Sequence, residues 1–107
     1  MTEIFHIAER TAWEAARTAG VPYTVSTRGR TLDEEGFIHC SADLQQVGAV
    51  LDRFYAGVTD LILLVIDTDL LDVPVRHEPA DGEIFPHVYG PIPPSAVIDV
   101  LVPPGTR

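Results

Sequence analysis

The chain has 107 residues, 46% of them hydrophobic and 21% charged, a composition that suits one globular domain with one core and excludes a disordered chain. Sixteen acidic residues face seven arginines and no lysine, for a formal charge of -9; such a surface repels phosphate backbones and anionic lipid, and a lysine Schiff base has no residue to form it. A single cysteine, Cys40, allows no internal disulfide, and with no basic-then-apolar leader and no apolar run long enough to span a bilayer the expectation is one cytoplasmic domain over 1–107, without nucleic-acid or membrane partners.

In chain order, residues 4–7 read as a strand. Residues 9–19, rich in Ala and Glu, read as a helix with Ala12, Ala15, Ala16 and Ala19 on one side and Trp13 as a core anchor. Gly20 and Pro22 stop it. Residues 23–27 are extended, 28–35 form a polar loop with the solvated run Asp33-Glu34-Glu35, and Gly36 closes that loop. Residues 37–40 form a strand. Ser41 caps the next helix, which runs to about Tyr55 with Leu44, Val47, Leu51 and Phe54 as its buried stripe.

The aliphatic run 61–67 is a central strand buried on both faces. Strands follow at 73–78 and 84–89, joined by the turn Pro79-Ala80-Asp81-Gly82. Pro86 marks the second of these as an edge or a bulge. The Gly90-to-Pro94 connection leads to a last strand over 96–102, with 103–107 as a frayed tail. The order predicts an α+β domain with two helices and a small mixed or antiparallel sheet.

Alternation along strands sorts the polar side chains. Ile4 and His6 share a face opposite Phe5 and Ile7. Phe37, His39 and Ser41 lie opposite Ile38 and Cys40, which makes Cys40 an inert core residue. Arg76 and Glu78 point away from Val75 and His77. Phe85, His87 and Tyr89 point away from Ile84 and Val88. If the polar faces converge, they build a cleft of three imidazoles, a hydroxyl, a guanidinium, a carboxylate and aromatic walls, which is a small-molecule site. The plainer alternatives are a cap role for Ser41, an Arg76–Glu78 pair and a structural or surface His77.

Five segments carry a resemblance across nearly the whole chain: Ile4-Phe5-His6-Ile7, Glu35-Gly36-Phe37-Ile38-His39-Cys40-Ser41 with Gln45 following, Leu63-Leu64-Val65-Ile66-Asp67, Arg76-His77-Glu78 and Phe85-Pro86-His87-Val88-Tyr89-Gly90-Pro91. The sequence resembles the family catalogued as domain of unknown function 952. It is also distantly similar to the ADP-ribosyltransferase superfamily. That second resemblance implies a split-sheet fold and NAD or a related nucleotide as ligand, with His6 on the first motif and Phe37, His39 and Ser41 on the second. For the third motif Glu78, Glu83 and His87 are candidates, and none matches the usual pattern cleanly.

Three functional readings follow. In the first, an enzyme acts at a ribose anomeric carbon. His39 and His87 exchange protons and Glu78 stabilises positive charge, while His6, Phe37, Ser41, Arg76, Phe85 and Tyr89 hold the nucleotide. In the second, His6, His39 and His87 ligate a metal. In the third, the cleft is an accessory site that binds a peptide or metabolite without chemistry.

Overall fold

A computed structural model describes residues 2–104. β1 (Glu3–Glu9) leads directly into α1 (Arg10–Ala19), which stops at Gly20 with φ 68°, a left-handed conformation that glycine adopts without a Cβ clash. Trp13 and Ala16 are buried, whereas Ala15 and Ala19 face solvent, so the alanine side is narrower than its composition suggests. A hairpin of β2 (Val25–Thr27) and β3 (Arg30–Thr31) follows.

The 28–35 stretch is therefore not a plain loop. Its second half is a short helix, α2 (Leu32–Glu35), a third helix beyond the two expected. The cause is local: the Thr31 hydroxyl accepts from the Glu34 N–H, and the Glu34 carboxylate accepts from the Thr31 N–H. That reciprocal box satisfies two end donors and fixes the turn.

β4 (Ile38–His39) comes next, then α3 (Leu44–Phe54). Ser41 does not cap α3. Its backbone exchanges two hydrogen bonds with Phe5, at 2.8 and 2.7 Å, so the chain is still extended there. The cap is Asp43, whose carboxylate accepts from the Gln46 N–H at 2.8 Å. The buried face of α3 is Val47 and Val50, with Leu51 half-buried. Leu44 and Phe54 are 50% and 44% exposed, contrary to the stripe read from the sequence.

β5 (Leu61–Asp67) is buried along its full length and sits between β1 and β8 (Val97–Leu101), antiparallel to both. One face of this sheet packs Ile4, Ala8, Ile62, Leu64 and Ile66 against Trp13 and Ala16 of α1. The other packs Ile7, Leu61 and Leu63 against Val47 and Val50 of α3. Truncating Leu63 or Leu64, both fully buried, to Ala removes atoms from this double-sided core at a cost of roughly 2–5 kcal/mol.

The second three-stranded sheet runs β4-β7-β6, with β6 at Val75–Ala80 and β7 at Glu83–Val88. Asp81 and Gly82 join β6 to β7 with φ 50° and 81°, the two-residue turn that suits the twist of a hairpin. β7 is the middle strand, so Pro86 is not on an edge. Its cost appears in β4 instead: the Cys40 N–H donates to the Pro86 carbonyl at 3.0 Å, but Pro86 has no N–H to return, and the ladder stops there.

All observed pairings are antiparallel. The Phe5–Ser41 exchange stitches the two larger sheets together at one point, giving a split α+β architecture. Pro103 is buried rather than frayed, and residues 105–107 of the expected tail lie outside the described residues. Among the described residues no helix is long and apolar enough to cross a membrane.

Candidate functional site

The registers of the second sheet decide what shares a face. His39 on β4 lies opposite His87 on β7, and His87 lies opposite Arg76 on β6. Phe85 lies opposite Glu78. The polar-aromatic faces read from β4, β6 and β7 therefore coincide. The face behind them, carrying Ile38, Val75 and Val88, goes to the core.

Over this face opens a cleft of about 390 Å³, within the range of ligand sites. Phe37, His39 and His87 form its floor. Thr27 and Arg28 of the β2–β3 hairpin, Glu35 of α2, Phe54 at the end of α3, and Ala80 with Asp81 at the β6–β7 turn complete it. The sequence reading missed Arg28, Glu35, Phe54 and Asp81. The Thr31-x-x-Glu34 spacing was the available signal that the 28–35 segment is structured enough to form a wall.

His39 and His87 stand with ring centroids 5.5 Å apart. Phe37 stacks on His87 at 3.9 Å, and Phe85 tilts against His39 at 4.8 Å. His87 donates its Nδ1–H to Glu78 Oε1 at 2.9 Å. With that proton assigned, His87 Nε2 of the neutral ring carries a lone pair. The same carboxylate accepts from the Tyr89 hydroxyl, and the Arg76 guanidinium lies 5.1 Å over the Tyr89 ring. The bonds from Tyr89 and His87 hold the Glu78 carboxyl below its ordinary pKa, and the same carboxylate pushes Tyr89 up.

The Nε2 atoms of His39 and His87 are both buried and have no hydrogen-bond partner among the described residues. Buried polar atoms are almost always paired, so two such atoms on residues of one cleft floor point to a missing partner. Burial lowers the His39 pKa to about 4, assisted by the neighbouring His87, so this ring is neutral near pH 7.

The other expected site residues divide. Arg76, Glu78, Phe85 and Tyr89 are on the right face but form the layer around the two imidazoles rather than the cleft wall. Glu83 binds Gln46 of α3, away from the floor. His6 and Ser41 lie behind β4, and the three imidazoles do not converge. His6 donates Nδ1–H to the His39 carbonyl at 2.7 Å and accepts from the Tyr23 hydroxyl at Nε2 at 3.0 Å. Burial depresses its pKa to about 4.

Both His6 nitrogens are thus used internally, and the ligand set His6, His39 and His87 does not assemble. Among the described residues no group of three His, Cys, Asp or Glu side chains is placed to hold a metal. Cys40 is buried and its thiol is pushed up by desolvation, which removes it as a nucleophile.

A sequence profile described as "Protein of unknown function (DUF952)" matches residues 7–100. The chain belongs to the DUF952 family. Its fold recurs in protein CC0527 from Caulobacter crescentus. The crystal structure of that protein is 30% identical with a TM-score of 0.77, covering 92% of this chain and 83% of that one. A double-methionine variant of CC0527 gives 29% identity with a TM-score of 0.77, over 92% and 83% of the two chains. Its solution structure gives 29% and 0.70, over 94% and 83%. No curated protein matches the chain. The DUF952 domain thus has a recurring split-sheet fold, and its function is read from the cleft.

Proposed function

We propose that the cleft binds a small riboside and that His87, with His39 beside it, exchanges protons with the bound molecule. The reaction class is cleavage or transfer at the ribose anomeric carbon of a nucleotide, as in the ADP-ribosyltransferase-like reading of the sequence. The observation that carries the proposal is the pair of buried, unpartnered Nε2 atoms on one cleft floor, one of them backed by a carboxylate.

The chemistry follows from that geometry. Water or a hydroxyl attacks the anomeric carbon as the bond to the leaving base breaks and its electron pair departs with the base. His87 Nε2, which is buried in the free fold and which the bound molecule must uncover, takes the proton of the attacking oxygen. Glu78 fixes the tautomer that leaves Nε2 free and stabilises the imidazolium that results. Glu78 is committed to His87 and Tyr89, so it does not face the sugar. Glu35 and Asp81 also line the cleft, but each is paired with an arginine, Arg30 and Arg53. Phe54 offers a half-exposed ring at the rim for a base to pack against.

Titration calorimetry with AMP, ADP-ribose and NAD tests the binding step, and product analysis by chromatography tests turnover. Binding to the parent protein, with turnover lost but the fold kept in His87→Gln, supports the proposal. No heat with any nucleotide overturns it. Binding without turnover leaves the same cleft as an accessory binding site and removes the enzyme.

A further inference from the structure

The distribution of arginine partners deepens this reading and rests on it. Arg10 pairs with Asp60, Arg17 with Glu14, Arg30 with Glu35, and Arg53 with Asp81. Arg76 lies over the Tyr89 ring. Arg28 is the one arginine among the described residues whose guanidinium has neither a carboxylate nor a ring partner, and it lines the cleft. In a chain with 16 acidic residues, an unpaired guanidinium on the wall of the same cleft as His39 and His87 is the group there that can answer a negative charge.

Arg28 is anchored although its side chain is exposed. The Arg28 N–H donates to the buried Tyr55 hydroxyl at 3.0 Å, which ties the base of the arginine to the end of α3. The two carboxylates in the same cleft do not cancel it. Glu35 is engaged by Arg30 at 2.9 Å, and Asp81 by Arg53 at 3.5 Å.

We infer that the ligand is a ribosyl monophosphate, with its single phosphate on Arg28 and its sugar over His39 and His87, rather than a dinucleotide. One free guanidinium matches one phosphate, in the fork geometry arginine offers to phosphate oxygens. A dinucleotide brings a second phosphate and a second ring, and among the described residues the cleft of about 390 Å³ has no second free cation. The acidic surface outside the cleft repels longer polyanions, which confines recognition to a small ester. The sequence reading gave the phosphate to Arg76. That guanidinium is occupied by Tyr89 and lies outside the cleft wall.

The test is calorimetry with ribose, ribose 5-phosphate, AMP and NAD on the parent protein and on Arg28→Gln, with thermal unfolding confirming that the variant folds. Ribose 5-phosphate is expected to bind about tenfold or more tightly than ribose, the worth of a charge-assisted contact. Arg28→Gln should erase that difference, and NAD should bind no better than AMP. The phosphate seat is overturned if ribose and ribose 5-phosphate bind alike, or if Arg28→Gln leaves the difference intact. Tighter binding of NAD than of AMP overturns the monophosphate assignment. If none of the four binds, the riboside reading of the cleft fails as a whole, which is distinct from failure of the seat alone.

Discussion

His87 and Glu78 are diagonal neighbours across the β6–β7 hairpin, with imidazole Nδ1 2.9 Å from carboxylate Oε1, and the bond decides which ring nitrogen is left without a proton. In Glu78→Gln the amide oxygen still accepts but the charge is gone, and the amide can also present an N–H that favours the other tautomer. Turnover should fall on the order of 10²–10⁴-fold, the range of a displaced general base, with nucleotide binding changed little. Steady-state kinetics beside calorimetry check this. An equal loss of binding and turnover would make Glu78 a wall residue instead.

His6 predicts a pH-dependent stability. Its folded pKa of about 4 lies below the ordinary 6.5, because burial disfavours the charged ring. The unfolded chain therefore binds the proton more readily. The associated stability is fully present above pH 6.5 and is lost as pH falls toward 4, by about 3 kcal/mol for this one group. Urea unfolding at a series of pH values should show a steeper decline across that window than the same series on His6→Gln. His6→Gln should also be less stable near neutral pH, because Tyr23 and the His39 carbonyl lose a well-placed partner.

Gly90 is required by packing. A Cβ there would stand 2.4 Å from Val73 Cγ1 and 2.9 Å from Val73 Cβ, closer than such atoms approach. Gly90→Ala should cost roughly 1–3 kcal/mol. Val73→Ala in the same chain should recover part of it, so that the double variant is less destabilised than the sum of the single variants. Denaturant unfolding of all three proteins measures the coupling.

The cleft wall from 28 to 35 depends on the Thr31–Glu34 box. Thr31→Ala should cost about 1 kcal/mol locally and raise amide hydrogen exchange in that segment while leaving β5 protected. Exchange unchanged across 28–35 would show that the wall is held by other contacts.

Much of this was legible in the sequence, for identifiable reasons. Leu61–Asp67 could only be a doubly buried strand, and period-two alternation put His39, His87, Phe85 and Glu78 on one face. Alternation could not say which faces meet. His6 shares Ile4's side of β1, and that side is the core, so an imidazole that looked like a site residue is a satisfied interior group.

Ser41 looked like a cap because its hydroxyl suits one. The long-range exchange with Phe5 keeps the backbone extended there and passes the cap to Asp43. Pro86 suggested an edge by a rule that concerns only its missing N–H, and that gap is absorbed where the two-residue β4 ends. Arg28 was hidden for a different reason: its significance lies in what the other arginines do, and ion pairs between distant segments are not written in local spacing.

The most direct test of the site is long-range ¹H–¹⁵N spectroscopy of the histidine rings near neutral pH, during a titration with ribose 5-phosphate. The account predicts that His87 carries its proton on Nδ1 in the free protein, and that the ring signals of His39 and His87 move together while those of His6 stay in place. Signals of His39 and His87 that remain fixed through saturating ribose 5-phosphate, AMP and NAD, or a His87 proton found on Nε2, would contradict it.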